Sequence, residues 1–212
     1  MRTRIKFCGC TTLQDVMLAV ETGADAVGFV FAPSPRRIAQ SEARYIAGKI
    51  PPFITLVGVF VHPTHDDIAR ARDIFPDLVV QLSGDESPSF VSSIDAKTIK
   101  AIHIDAETAS ADAPAIERAC NEHPRAIILF DTKDPARSGG TGKTFPWRAI
   151  EPIARSRQVI VAGGLTAGNV AVCVRGVRPF GVDVRSGIET DSRKDPAKMR
   201  AFVRAVKDAD AA

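Results

Sequence analysis

The chain of 212 residues reads as an α/β protein folded as a single-domain (β/α)8 barrel, and three observations lead there. Eight short β-rich runs alternate with eight helical stretches, the pattern of parallel βαβ units. No composition break or linker separates them, so residues 1–212 read as one TIM barrel at about 26 residues per unit. Glycine-rich turns follow the seventh and eighth runs, where such barrels often bind phosphate. A doubly wound open sheet is the alternative, and eight near-equal repeats argue against it.

The first strand, residues 4–8, carries Lys6 and Cys8 on one face and Ile5 and Phe7 on the other. Thr11 or Thr12 caps a first helix over 13–21, and Gly23 follows its end. Strand two spans 26–31, and Ser41 before Glu42 opens the second helix, 42–50. Strand three spans 54–61, and Thr64 before Asp66 and Asp67 heads the third helix, 66–74. Strand four, 78–82, leads to a short serine-rich helix, 89–94. Strand five, 98–104, reaches its helix at 114–122 through 105–112, which carries no clear signal. Strand six is apolar from Ala126 to Phe130, stops on Asp131, and its helix opens at Pro146 and Trp147, running over 147–155. Strand seven at 159–162, a helix at 167–174, strand eight at 181–184 and a helix at 196–209 complete the pattern.

Composition narrows the function. Hydrophobic residues make up 45% and charged residues 25%, which suits an ordinary globular protein with a sizeable core. The net charge of +3 is mild and no block of five or six like charges occurs, so nucleic-acid and membrane partners lack support. Phosphate-bearing small molecules remain compatible with it. Cys8, Cys10, Cys120 and Cys173 fit neither a zinc site nor a disulfide framework. His62, His65, His103 and His123 lack metal-ligand spacing. No signal-peptide core and no apolar run near 18 residues is seen, so a cytoplasmic location is expected.

Candidate chemistry gathers at the carboxyl ends of the strands, the working face of such barrels. A carboxylate where a buried strand meets a loop is desolvated, which favours its neutral form, so Asp131 can donate a proton near neutral pH. Its simpler role is to order the loop. Lys6 lies one layer below Cys8, and a cationic neighbour favours a thiolate that can act as base. A buried cysteine is otherwise an inert small hydrophobe. Gly163-Gly164-Leu165-Thr166 and Arg185-Ser186-Gly187 let backbone N–H groups approach an anion, with a helix start expected behind each. Gln81 and Asp183 face inward, and Arg36 in SPRRI can clamp a carboxylate.

Residues 138–144, SGGTGKT, imitate a nucleotide-binding P-loop. That motif needs glycine five positions before Gly142, where Arg137 stands, so the stretch reads as a flexible cationic lid.

KFCG at 6–9, GADAVGFVF at 23–31, SPRRI at 34–38, VGVFV at 57–61, QLSG at 81–84, LFDT at 129–132, GGTGKTFPW at 139–147, then GGL and GVDVRSG, form an ordered set. That set resembles the phosphoribosylanthranilate isomerase family. The resemblance implies a small (β/α)8 barrel of tryptophan biosynthesis that carries out an Amadori rearrangement. It implies that Asp131 protonates the furanose ring oxygen, that Cys8 takes the C2′ proton of the resulting Schiff base, and that Arg36 meets the anthranilate. Gly163, Gly164 and Ser186, with Gly187 beside them, would hold the phosphate, and Asp183 would contact substrate. No metal or organic cofactor is implied, and the expected state is a monomer or homodimer.

Three positions depart from the family pattern. Ser83 stands where histidine is usual, Arg185 where a small polar residue is usual, and Arg37 where tyrosine is usual. Arg185 is expected to reach the phosphate or to pair with Asp183 or Glu189. The related Amadori isomerase of histidine biosynthesis has a carboxylate where Cys8 stands and two similar halves, neither of which fits. A nucleotide-binding switch and a catalytically dead phosphosugar-binding barrel are the remaining alternatives.

Overall fold

A computed structural model describes residues 2–109, 112–132 and 144–212. Its centre is a closed barrel of eight parallel strands in chain order: β1 (Arg4–Cys8), β2 (Ala26–Val30), β3 (Thr55–Phe60), β4 (Val79–Leu82), β5 (Thr98–Ile104), β6 (Ile127–Thr132), β7 (Val159–Val161) and β8 (Gly181–Val184). β1 pairs with both β2 and β8, which closes the ring. The helices between them are α1 (Leu13–Thr22), α2 (Gln40–Ala47), α3 (His65–Arg72), α4 (Pro88–Ser93), α5 (Ala113–Asn121), α6 (Glu151–Ser156), α7 (Val170–Val177) and α8 (Pro196–Asp210). An antiparallel hairpin, β9 (Glu189–Thr190) with β10 (Arg193–Lys194), is inserted before α8.

Alternation along the strands divides the interior into two cores. Ile5, Phe7, Phe29, Ile128, Phe130, Val182 and Val184 turn outward and are buried under the helices. Val57, Ile99, Ala101, Leu129, Ile160 and Ala162 fill the barrel itself. Above them, Cys8, Val30, Ala32 and Val59 form a smaller cluster toward the carboxyl-end mouth. The barrel is thus a packed plug on which the mouth is built. Phe130 is fully buried, and truncating such a residue to alanine costs about 3–5 kcal/mol.

Helix boundaries follow local chemistry. Thr12 and Asp15 form a capping box at α1, and Gly23 ends that helix in the left-handed region at φ 94°. Thr64 and Asp67 form the same box at α3. Three expected starts are corrected. The second helix begins at Gln40, two residues ahead of the expected start, with Ala39 at its cap, so Ser41 lies inside the first turn and caps nothing. The stretch expected as one helix over 147–155 opens as a 3-10 turn, Trp147–Ile150, before α6. α7 begins at Val170 rather than at 167, because the Asn169 side chain accepts from Thr166 N–H at 2.8 Å and donates to Gly164 O at 2.9 Å. Those bonds hold 164–169 as a turn. Residues 133–143 lie outside the described residues, and with them all but Thr144 of the stretch 138–144 read above as a cationic lid. Among the described residues no helix is long and apolar enough to cross a membrane.

Candidate active site

The mouth is built on β1, β5, β6 and β8. In register, Lys6 lies opposite Asp183, and Lys6 Nζ donates to Asp183 Oδ2 at 2.8 Å with both side chains buried. Burial lowers the Lys6 pKa, but the Asp183 carboxylate and the Cys8 sulfur outweigh it and hold the ammonium above its ordinary value. Cys8 lies opposite Gly28 of β2. A Cβ on Gly28 would stand 3.0 Å from both Cys8 Sγ and Lys6 Nζ, so the missing side chain makes room for both. Of the four thiols, burial pushes Cys10 and Cys173 up to about 12 and Cys120 up to about 11. Those three are buried among hydrophobic side chains, whereas Cys8 sits in the mouth cluster.

Asp131 is the last residue but one of β6, in register with His103 of β5. Burial raises its pKa; the charges of His103 and Arg185 lower it and that of Asp183 raises it, and the net direction is upward. A raised carboxyl pKa keeps more of the acid protonated near neutrality, as the strand-end position predicts. His103 Nε2 lies 3.0 Å from the carbonyl oxygen of Ser83, which fixes the imidazole beside β6. The β4 end is ordered by Gln81 Nε2 donating to Ser83 Oγ at 3.2 Å.

The two glycine turns are one structure. Gly163 (φ 80°) and Gly164 (φ 63°) are both left-handed, and a Cβ on Gly163 would stand 2.8 Å from Asp131 Oδ1 and collide with Thr132. A Cβ on Gly187 would come within 1.9 Å of the Leu165 carbonyl oxygen, so the β7 and β8 turns lie directly on each other. One expectation is corrected here: behind Ser186 stands no α-helix start but a 3-10 turn, Ser186–Ile188, leading into β9. Behind Gly164 the helix is delayed to Val170. The N–H groups this cradle presents are therefore those of turns, with no α-helix start directly behind Gly164 or Ser186.

Arg36 and Arg37 separate clearly. Arg37 is exposed, while Arg36 is half-buried and reaches back to β1. Arg36 Nη2 donates to Glu189 Oε2 at 2.6 Å, and Arg36 Nε donates to both carboxylate oxygens at 3.1 and 3.2 Å. Lys194 Nζ donates to Glu189 Oε1 at 2.7 Å and to the Cys8 carbonyl oxygen at 2.6 Å. The hairpin after β8 thus ties Arg36 and Cys8 to one buried carboxylate. Arg185 pairs with neither Asp183 nor Glu189, which corrects one of its two expected roles.

The mouth therefore brings together Lys6, Cys8, Asp131, Asp183 and Arg185, with Arg36 held at its rim. Sequence reasoning gave His103 and Lys194 no place in the mouth and named Glu189 only as a partner for Arg185. Alternation from Ile99 through Ala101 would have placed His103 in the mouth. Nothing local marked Glu189 or Lys194, whose partners lie 153 and 186 residues earlier.

A closed parallel barrel carrying a desolvated carboxyl, a thiol and cationic side chains at its carboxyl-end mouth is an enzyme of the (β/α)8-barrel class. Residues 5–205 match the family model described as N-(5'phosphoribosyl)anthranilate (PRA) isomerase. The N-(5'-phosphoribosyl)anthranilate isomerase of Desulforudis audaxviator is 44% identical over 207 residues, 98% of this chain and 99% of its own length. The crystal structure of phosphoribosyl anthranilate isomerase from Thermotoga maritima superposes with a TM-score of 0.86 at 39% identity, covering 97% of this chain and 99% of that one. A phosphoribosyl anthranilate isomerase solved with reduced 1-(o-carboxyphenylamino)-1-deoxyribulose 5-phosphate gives 0.82 at 36% identity, with coverage of 97% and 99%. The chain belongs to the PRA isomerase family and is an isomerase of tryptophan biosynthesis.

Proposed function

We propose that the chain converts N-(5-phosphoribosyl)anthranilate to 1-(2-carboxyphenylamino)-1-deoxyribulose 5-phosphate, with Asp131 as general acid and Cys8 as general base. The observation that carries this reading is the strand-end carboxyl of Asp131, biased toward its protonated form in a mouth that also holds Cys8. Asp131 gives its proton to the furanose ring oxygen, and the C1′–O bond breaks as the anthranilate nitrogen lone pair forms the C=N bond. The Cys8 thiolate then removes the C2′ proton, and that electron pair passes back to nitrogen to give an enolamine. Tautomerisation of the enol oxygen, with a proton returned to C1′, leaves the ketone. The substrate nitrogen is the electron sink, so the route needs no metal or organic cofactor.

Lys6 fixes the Asp183 side chain through their buried ion pair. Asp183 Oδ1 is buried without a partner among the described residues, which suits it to accept from a substrate hydroxyl. Gly163, Gly164, Ser186 and Gly187 offer the phosphate backbone N–H donors, and Arg36 faces the anthranilate carboxylate. The expected partner is this one small molecule, in a cytoplasmic monomer or homodimer formed of one domain.

The test adds freshly generated substrate to the purified protein and follows loss of anthranilate fluorescence, with and without a chelator. Loss well above the buffer rate, unchanged by the chelator, is expected. No loss, with folded protein and fresh substrate, would refute the activity, and loss abolished by the chelator would refute the cofactor-free route.

A further inference from the structure

Gly9, which follows Cys8, lies between two arginines that come from either side of β1. A Cβ placed on Gly9 would lie 3.2 Å from Arg36 Cδ and 3.5 Å from both Cγ and Cδ of Arg185. Arg36 arrives from the β2 end and Arg185 from the β8 end, and Gly9 is in the left-handed region at φ 73°. The bare Cα is what lets both stems cross the end of β1. The two guanidinium groups differ in their commitments. Arg36 spends its Nε and Nη2 edge on Glu189 and so is rigidly aimed, with only its Nη1 edge left over. Arg185 is half-buried and makes no ion pair or side-chain hydrogen bond among the described residues.

The Arg185 stem lies over Gly9, at the β1 end. In the β7 turn, Gly163 is packed so closely against Thr132 that a Cβ there would collide, so the turn presents backbone N–H groups at that position. At the β1 end, by contrast, a planar carboxylate arriving beside Arg36 would meet an aimed but half-occupied guanidinium. A second, uncommitted fork completes a two-cation clamp, and guanidinium geometry matches a carboxylate through paired hydrogen bonds.

We propose that Arg185 is a substrate-recognition residue that, with Arg36, holds the anthranilate carboxylate rather than the phosphate. This rests on the proposed assignment of Arg36 to the anthranilate. It makes Arg185 a specificity residue: it favours an N-aryl group bearing an ortho carboxylate over the same phosphosugar with an uncharged aryl group.

The test compares the wild type with Arg185→Ser, Arg185→Lys and Arg36→Ala, using three competitive inhibitors. These are reduced 1-(o-carboxyphenylamino)-1-deoxyribulose 5-phosphate, its counterpart with phenyl in place of carboxyphenyl, and inorganic phosphate. In Arg185→Ser the carboxylated inhibitor should weaken about tenfold, the size of one charge-assisted contact, while the other two hold their inhibition constants. Arg185→Lys, which keeps charge without the fork, should fall between. Equal weakening of all three inhibitors would assign Arg185 to the phosphate and overturn the proposal, as would no weakening of any. Arg36→Ala separates the two readings. If it spares the carboxylated inhibitor while Arg185→Ser weakens it, the Arg36 assignment fails and Arg185 stands. If only Arg36→Ala weakens it, Arg185 fails alone.

Discussion

Lys194 reaches back across the chain to donate from Nζ to the carbonyl oxygen of Cys8 at 2.6 Å, while its other bond holds Glu189 at 2.7 Å. The same carboxylate takes Arg36, so one buried acid in the hairpin fixes both the residue beside the thiol and the arginine at the rim. Burial pushes the Glu189 pKa up, but hydrogen bonds from Arg36 and Lys194 outweigh it and hold it below the ordinary carboxylate value. A depressed folded pKa means that Glu189 adds stability above its unfolded value of about 4.5. That contribution is lost as pH falls through the lower folded value.

Acid melts should therefore show the thermal midpoint falling steeply below about pH 4.5, with Glu86 and Asp25, also depressed, contributing. Glu189→Gln should lower the midpoint at neutral pH, by the roughly 3–5 kcal/mol cost of breaking a buried pair, and flatten its acid dependence. A variant with the wild-type acid slope would show that Glu189 is not among the groups responsible.

The Lys6–Asp183 pair gives the opposite sign. Its folded pKa is raised above the ordinary 10.5, so its stability is complete below that value and is lost as pH rises through the folded one. Lys6→Met strands a buried carboxylate and should cost about 3–5 kcal/mol in denaturant unfolding. Lys6→Met with Asp183→Asn should cost less than the two single changes summed, because they share one contact. Strict additivity would show that the pair is not coupled.

The bias on Asp131 sets a pH limb. If Asp131 is the acid, kcat should fall as pH rises through its elevated pKa. The groups facing it are His103 from β5, Asp183 from β8, Arg185 after β8 and the Thr132 N–H. Arg185→Ser removes a cation that pulls this pKa down, so it should move the alkaline limb to higher pH. A limb that stays in place in that variant would assign it to another group.

Contact between the β7 and β8 turns predicts a binding defect. Gly187→Ala forces the turns apart at Leu165, and the phosphate lies remote from the reacting carbons. KM and the inhibition constant of inorganic phosphate should rise about tenfold or more with kcat largely kept, as expected for binding shared by ground and transition states. A fall in kcat alone would place the turn in the chemistry instead.

Much of this was legible from the chain. Fully buried parallel strands are near-continuous apolar runs, so all eight were recoverable within a residue or two. α1 and α3 were legible because their capping boxes are local. α2 was misplaced because Ala39 caps it without a side chain, and α7 because the Asn169 turn imitates a helix start. Within the site, Asp131, Asp183 and Cys8 were readable from strand alternation. Glu189 and Lys194 were not, since their meaning lies in bonds closed only when the barrel brings the hairpin over β1. Arg185 was noticed as unusual, but its direction over Gly9 depends on the turn geometry after Val184.

The central claim is that Asp131 and Cys8 divide the acid and base work. The most direct measurement is single-turnover decay of substrate fluorescence by Asp131→Asn and Cys8→Ser, each first shown to be folded and to bind reduced 1-(o-carboxyphenylamino)-1-deoxyribulose 5-phosphate. Both rates should fall about 10²–10⁴-fold, the usual contribution of a general acid or base, with inhibitor binding retained. Either variant turning over at more than about a tenth of the wild-type rate would contradict the role given to that residue.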